Sequence, residues 1–235
     1  MQIAILLYPG VTALDAVGPW EVLSRLPDVD LRFVGTEIGP VQTEGDALLL
    51  GVTHTIEETP SPHVVLVPGG STTPGQMVED AILDWLRAVH ETSRWTVSVC
   101  TGSLILAAAG ILKGKAATTH WSQIGTLRIM GARPDSSRRV VQDGKVATAA
   151  GVSAGIDLAL WLAGEIAGPE QAQAVQLVIE YDPQPPFDTG HKSRAPQAVR
   201  RLAKAMMDKQ MPTDQKRLLP KVAWRRLIDF VRTGR

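Results

Sequence analysis

One cysteine stands among the 235 residues of this chain. An internal disulfide is therefore excluded, and nothing in the sequence needs an oxidising compartment to fold. Histidines are few as well, 5 in total. They are scattered, with no His/Cys spacing of the kind that builds a metal site. We expect no metal and no cofactor. No apolar run reaches the roughly 20 residues of a membrane-spanning helix. The opening "MQIAILLYPG" has no basic stretch ahead of its short apolar run, so we read it as a first strand rather than a secretory signal. The expectation is a cytoplasmic protein with no membrane association. Aromatics amount to 5% and do not interleave with basic residues as base-stacking surfaces do.

Net charge is also missing, but only in sum. The formal charge is zero, yet residues 191–235 carry 13 Lys/Arg against 3 Asp/Glu. The basic residues there are spread out rather than clustered. We read this end as solvated helices folding back on an acidic body, in preference to a nucleic-acid arm.

What is present alternates. "IAILLY" (Ile3 to Tyr8) reads as a buried strand broken by "PG". Pro19 to Leu26 has helical spacing, with Pro19 suited to the first helical position. "DLRFVG" (Asp30 to Gly35) is a second strand, and residues 36–62 read as short strands or a hairpin with loops. "HVVLVPGG" (His63 to Gly70) is a β-branched run ending in a glycine turn. Asp80 to Glu91 is an amphipathic helix. "WTVSV" leads into the cysteine, and "LILAAAGIL" follows as a helix. "THWSQIGTLRIMG" continues as a helix with Gly131 as its stop. "RRVVQDGKVATAAG" is a hairpin turned at Asp143-Gly144. Two further helices cover "VSAGIDLALWLAGEIAG" and "PEQAQAVQLVIEY", and a basic helical tail begins near Ser193. Near-continuous apolar strands alternating with helices indicate an α/β chain, a three-layer αβα sandwich on a mostly parallel sheet. We divide it into a body at 1–190 and a basic helical extension at 191–235 that packs on the body or a partner.

In such sheets ligands bind beyond the carboxyl ends of the strands. "LLYPG", "VPGGS" and "SVCTGS" are expected to meet there. In the last of these, Cys100 sits where a strand turns sharply into a helix. That is the geometry of a nucleophile elbow, with Gly102 giving room for the turn. Amides at the start of the following helix favour a thiolate. We therefore read Cys100 as a nucleophile rather than a small buried core residue. Asp15, in "LDAVGP", follows the first strand's turn and reaches the same edge; it is preferred to Glu21 as the acid–base partner, although either fits a role at the helix start.

"VLVPGG", "SVCTGSLILAAAGIL", "ATTHW" and "TAAGVSAGIDLAL" together resemble the ThiJ/PfpI superfamily of class I glutamine amidotransferase-like proteins. "LDAVGPWEVL" and "QLVIEYDPQPPF" narrow the resemblance to its isocyanide-hydrating members, over about residues 1–190. The resemblance implies a flavodoxin-like fold, a homodimer, a small isocyanide as substrate, Cys100 as nucleophile, Asp15 as its acidic partner and Thr101 beside them. Peptidase-like members carry a histidine directly after the cysteine, where this chain has Thr101. His191 lacks the context of an amidotransferase histidine. His120 reads as a hydrogen-bonded structural residue bordering the pocket. Backbone amides at Gly70, Thr101, Gly151 and Val152 are candidates to stabilise anions, and Trp20 and Trp121 are candidates for an apolar wall.

The expected chemistry is attack of the Cys100 thiolate on the isocyanide carbon, with Asp15 first giving a proton and then activating water. Three alternatives stay open: a redox sensor using Cys100, a ligand-sensing regulator without a complete helix-turn-helix module, and a glyoxalase- or deglycase-like enzyme using Cys100 with Asp15 or Glu21.

Overall fold

The near-continuous apolar stretches of the sequence become the middle of one sheet. The computed structural model describes residues 1–45, 47–218 and 220–222. The unexplained segment "RRLIDFVRTGR" lies outside the described residues. In chain order the elements are β1 (Gln2–Leu6), α1 (Ala13–Leu23), β2 (Asp30–Gly35), β3 (Gly39–Gln42), β4 (Leu49–Val52), β5 (His54–Thr55) and β6 (Val64–Val67). Then come α2 (Thr73–Gln76), α3 (Asp80–Thr92), β7 (Trp95–Ser98), α4 (Gly102–Ala108), β8 (Ala116–Ala117), α5 (Ile124–Ile129) and β9 (Arg133–Pro134). The last are β10 (Val140–Asp143), β11 (Val146–Ala149), α6 (Ala154–Ala167), α7 (Pro169–Val178) and α8 (Gln197–Gln210).

Seven strands form the main sheet in the order β10-β11-β7-β6-β1-β2-β5. All neighbours are parallel except β10 and β11. β6 and β7 are buried at every position, which explains why their sequences do not alternate: both faces are covered by helices. Helix α3 shows the complementary logic. Ile82, Leu83, Leu86 and Val89 are buried on one stripe, the spacing of a helix that covers a sheet. This is the αβα sandwich that the alternation predicts, of the flavodoxin-like kind that the resemblance implies.

The sheet also fixes where the chemistry sits. From β1 the chain steps to β2 on one side, while β6 and β7 are laid down on the other. The strand order thus reverses between β1 and β6, at a switch point where a crevice opens beyond the carboxyl ends. The three loops expected to meet do meet there. The Thr12 amide donates to the Gly69 carbonyl at 2.9 Å, the Ser71 amide to the Gly10 carbonyl at 3.0 Å, and the Val99 amide to the Val67 carbonyl at 3.0 Å.

Four local expectations are corrected. Pro19 lies inside α1, not at its first position; the helix begins at Ala13. Its ring is buried, so packing offsets the missing backbone donor. Helix α5 is much shorter than its sequence pattern suggests, and His120 to Ser122 lie in the turn before it. The second hairpin turns at Gly144-Lys145, because Asp143 pairs with Val146; Gly144 takes the left-handed conformation at φ +64°. The basic helix starts at Gln197 rather than near Ser193.

Candidate active site

Cys100 lies one residue, Val99, beyond the end of β7 and holds a backbone φ of +56°. A side-chain-bearing residue rarely adopts that conformation, so its surroundings must impose it. Its amide reaches the carbonyls of Ala149 and Ala150, both at 3.2 Å. Its carbonyl accepts from the Ser103 hydroxyl at 3.1 Å and the Thr119 hydroxyl at 3.0 Å. The turn that follows requires glycine: a Cβ on Gly102 would lie 2.0 Å from the Val67 carbonyl oxygen. The chain thus turns sharply from strand to helix at Cys100, with the residue in a left-handed conformation.

The thiol's environment departs from expectation. Cys100 is 6% exposed. Burial pushes its pKa well up, and the charge of Asp15 adds to that. The amides of Val152 and Thr101 hydrogen-bond to the sulfur and favour its anion, as anticipated for the helix start, but burial outweighs them. Burial therefore opposes the thiolate that those amides favour.

Asp15 comes from the first turn of α1 and is fully buried. Its Oδ2 accepts the Gly69 amide at 2.9 Å, while its Oδ1 is buried with no hydrogen-bond partner. Its pKa is raised to about 7, chiefly by burial. The Gly69 amide, and more weakly the Cys100 side chain, pull it down; the charge of Glu44 pushes it up. Removal from water is the main cause of the shift.

Thr101 is a joint between loops. Its Oγ1 accepts the Gly70 amide at 3.1 Å and lies 2.8 Å from the Thr73 hydroxyl. The Thr73 hydroxyl also reaches the Gly70 carbonyl at 2.8 Å. The Gly70 amide is thus already engaged, which leaves the Thr101 and Val152 amides as the donors at the sulfur. Val152 holds a φ of +37°, a second strained residue facing the first. Tyr8 is buried beneath, its hydroxyl donating to the Pro68 carbonyl at 2.9 Å.

A cavity of about 160 Å³ opens over Cys100, bordered by Thr12, Glu44, Ser71, Thr101 and His120 on the body and by Met207 of α8. A larger one, about 540 Å³, adjoins it and shares His120 and Val152. Cys100 lines the smaller space and not the larger. His120 borders both, and burial pushes its pKa down. Its Nδ1 accepts the Ser122 amide at 3.4 Å. Gly151 makes room for it: a Cβ there would sit 2.3 Å from the His120 Cδ2. Trp121 lines the larger cavity.

Two candidates lie apart. Trp20 borders neither cavity and stacks on Phe33 with ring centroids 6.4 Å apart. Glu21 faces outward and pairs with Arg25. Among the described residues, no group of three or more His, Cys, Asp and Glu side chains is placed to hold a metal ion. No helix among them is long and apolar enough to cross a membrane.

The model of the DJ-1/PfpI family matches residues 1–165. The chain belongs to the DJ-1/PfpI family. Within that family it is similar to the isonitrile hydratase of Pseudomonas putida, at 47% identity over 199 residues, covering 85% of this chain and 86% of that one. Among solved structures, a ThiJ/PfpI family protein from Pseudomonas syringae superposes with a TM-score of 0.86 at 35% identity, over 94% of this chain and 90% of the other. Drosophila melanogaster DJ-1beta superposes with a TM-score of 0.70 at 22% identity, over 76% of this chain and 97% of that chain; that likeness is one of fold.

Sequence reasoning missed several residues of this DJ-1/PfpI site. Gly69 lay inside the quoted "VPGG", but only the fold aims its amide at Asp15. Glu44 came from the stretch read only as loops and short strands. Met207, Gln210 and Met211 border the Cys100 cavity, although the basic extension was treated as separate from the site. The Gln215 side chain accepts the Gly75 amide at 2.8 Å, so this extension folds onto its own chain beside the site. Its amphipathic spacing was the available signal.

Proposed function

We propose that this protein is an isocyanide hydratase, adding water to R–N≡C to give the formamide R–NH–CHO. The observation that carries the reading is a buried cysteine on a strained elbow, coupled to a buried carboxyl whose pKa is raised to about 7. The 47% identity to an isonitrile hydratase supports it.

The chemistry follows from the protonation of the pair. Near neutral pH the thiol keeps its proton and Asp15 is partly ionised. Asp15 takes the thiol proton as the sulfur attacks the isocyanide carbon; the sulfur–carbon bond forms as the thiol ionises, so a free thiolate need not persist in the buried site. The amides of Thr101 and Val152 stabilise charge on the sulfur during that transfer. Asp15, now protonated, delivers the proton to the same carbon, which bears the lone pair. The product is a thioimidate, R–N=CH–S–Cys100.

Asp15, ionised again, then removes a proton from water as its oxygen bonds to the thioimidate carbon. Asp15 passes that proton to the nitrogen, then takes the proton of the new hydroxyl as the carbonyl forms and the carbon–sulfur bond breaks. The formamide leaves, and the sulfur recovers its proton through Asp15. One water is consumed and no oxidant or reductant is needed. A carboxyl with a pKa near the working pH suits both directions of transfer.

The buried thiol also weighs against a redox sensor, which relies on an exposed, acidic cysteine. The hydratase reading is tested by mixing the protein with an aromatic isocyanide and following formamide by chromatography. Formamide formed catalytically supports it; isocyanide left unchanged in the presence of a thiol that still alkylates rejects it.

A further inference from the structure

The Cys100 cavity, at about 160 Å³, is small, and the 540 Å³ cavity beside it meets it at His120 and Val152. The reacting end of an isocyanide is a thin two-atom rod that the small space accommodates. The large space is then available for whatever the isocyanide carries.

The larger cavity has a distinctive wall. Leu14, Trp121 and Ile124 give it an apolar side. Arg138, Arg139, Lys192 and Arg200 line it as well, and no Asp or Glu among the described residues does. Arg139 pairs with Asp157, and the charge of Arg138 acts on Asp135 without a direct ion pair. Arg138, Lys192 and Arg200 have no ion pair among the described residues. Asp135, which is close to Arg138, accepts the Ser137 amide at 2.9 Å and its hydroxyl at 2.7 Å. The Lys192 ammonium lies 5.7 Å from the centre of the Trp121 ring, which holds its charge over the apolar wall. A cavity with an apolar side, four basic residues on its wall and no acidic residue among its described lining is suited to a ligand with a hydrocarbon body and an anionic end.

We infer that the substrates are isocyanides whose R group ends in a carboxylate, with the hydrocarbon part on the Trp121 side and the carboxylate between Arg138 and Arg200. This inference rests on the hydratase reading of Cys100 and names the substrate class of that site.

The test compares ω-isocyanohexanoate with its methyl ester in the wild type and in an Arg138→Gln/Arg200→Gln double variant. Charged hydrogen bonds to a carboxylate predict a preference for the acid of about tenfold or more in kcat/KM. The preference should shrink with added salt and collapse in the double variant. An ester turned over as well as the acid, or a preference that survives both substitutions, overturns the inference and leaves the hydratase reading intact. Turnover of neither compound rejects the hydratase reading instead. Calorimetric binding of the corresponding formamidohexanoate then decides the cavity. Binding that the double variant weakens keeps the anion site, and no binding overturns it.

Discussion

Asp15 and Cys100 act on each other in opposite senses. The carboxylate's charge makes the thiol harder to ionise, while the Cys100 side chain makes the carboxyl easier to ionise. Both influences favour a proton on sulfur over one on Asp15.

Asp15→Asn removes the base but keeps an oxygen for the Gly69 amide. Turnover should fall by about a hundredfold to ten-thousandfold, the usual range for losing a positioned acid–base group. Cys100 should still react with iodoacetamide. Steady-state rates and alkylation followed by mass spectrometry check both points; an undiminished rate removes Asp15 from the chemistry.

The raised pKa of Asp15 has a signature in stability as well as in rate. The folded state binds this proton up to about pH 7, whereas an unfolded aspartate loses it near pH 4. Between those values the folded state holds more protons, so this group's contribution favours folding at low pH and is lost as pH rises to 7. The window of about three pH units corresponds to on the order of 4 kcal/mol. Asp15→Asn should therefore be more stable than wild type at pH 8, with the gap closing towards pH 4. Urea midpoints at the two values test this. The rate of the wild type should rise through pH 7 as Asp15 ionises.

Thr101 links the turn after β6 to the elbow through the Gly70 amide and the Thr73 hydroxyl. Thr101→Val strands that amide, at a cost of about 1–3 kcal/mol, and should lower kcat while the thiol remains alkylable. Thr101→Ser keeps the oxygen and should restore most of the rate. Equal rates in the two variants would show that the bond is not needed.

Gly102→Ala tests the elbow itself. Its Cβ would press on the Val67 carbonyl, backbone that can move only with the sheet. Destabilisation of about 1–3 kcal/mol is expected, together with loss of turnover. A thermal midpoint matching that of the wild type would contradict the geometry.

The parts legible in the sequence were those written in local patterns. Apolar runs such as "VVLV" and the strand-to-helix switch at Cys100 located the sheet and its active edge, and Asp15 stood out as a carboxyl between Leu14 and Ala16. The protonation of the pair was less legible, because it depends chiefly on burial, and burial is set by the packing of the whole fold rather than by a local pattern. Trp20 illustrates the opposite error. It neighbours the site in sequence, but its helix turns it towards Phe33 on β2. The wall formed by Met207 and Met211 was invisible because nothing local says which face of the body an amphipathic helix will cover.

The most direct test of the Cys100 mechanism is formamide production from one aromatic isocyanide by wild type and Cys100→Ala, measured side by side. The account predicts steady turnover by the wild type and a loss of at least about a thousandfold in the variant, with its circular dichroism spectrum unchanged. A folded Cys100→Ala protein that works within a few-fold of wild type would contradict the account.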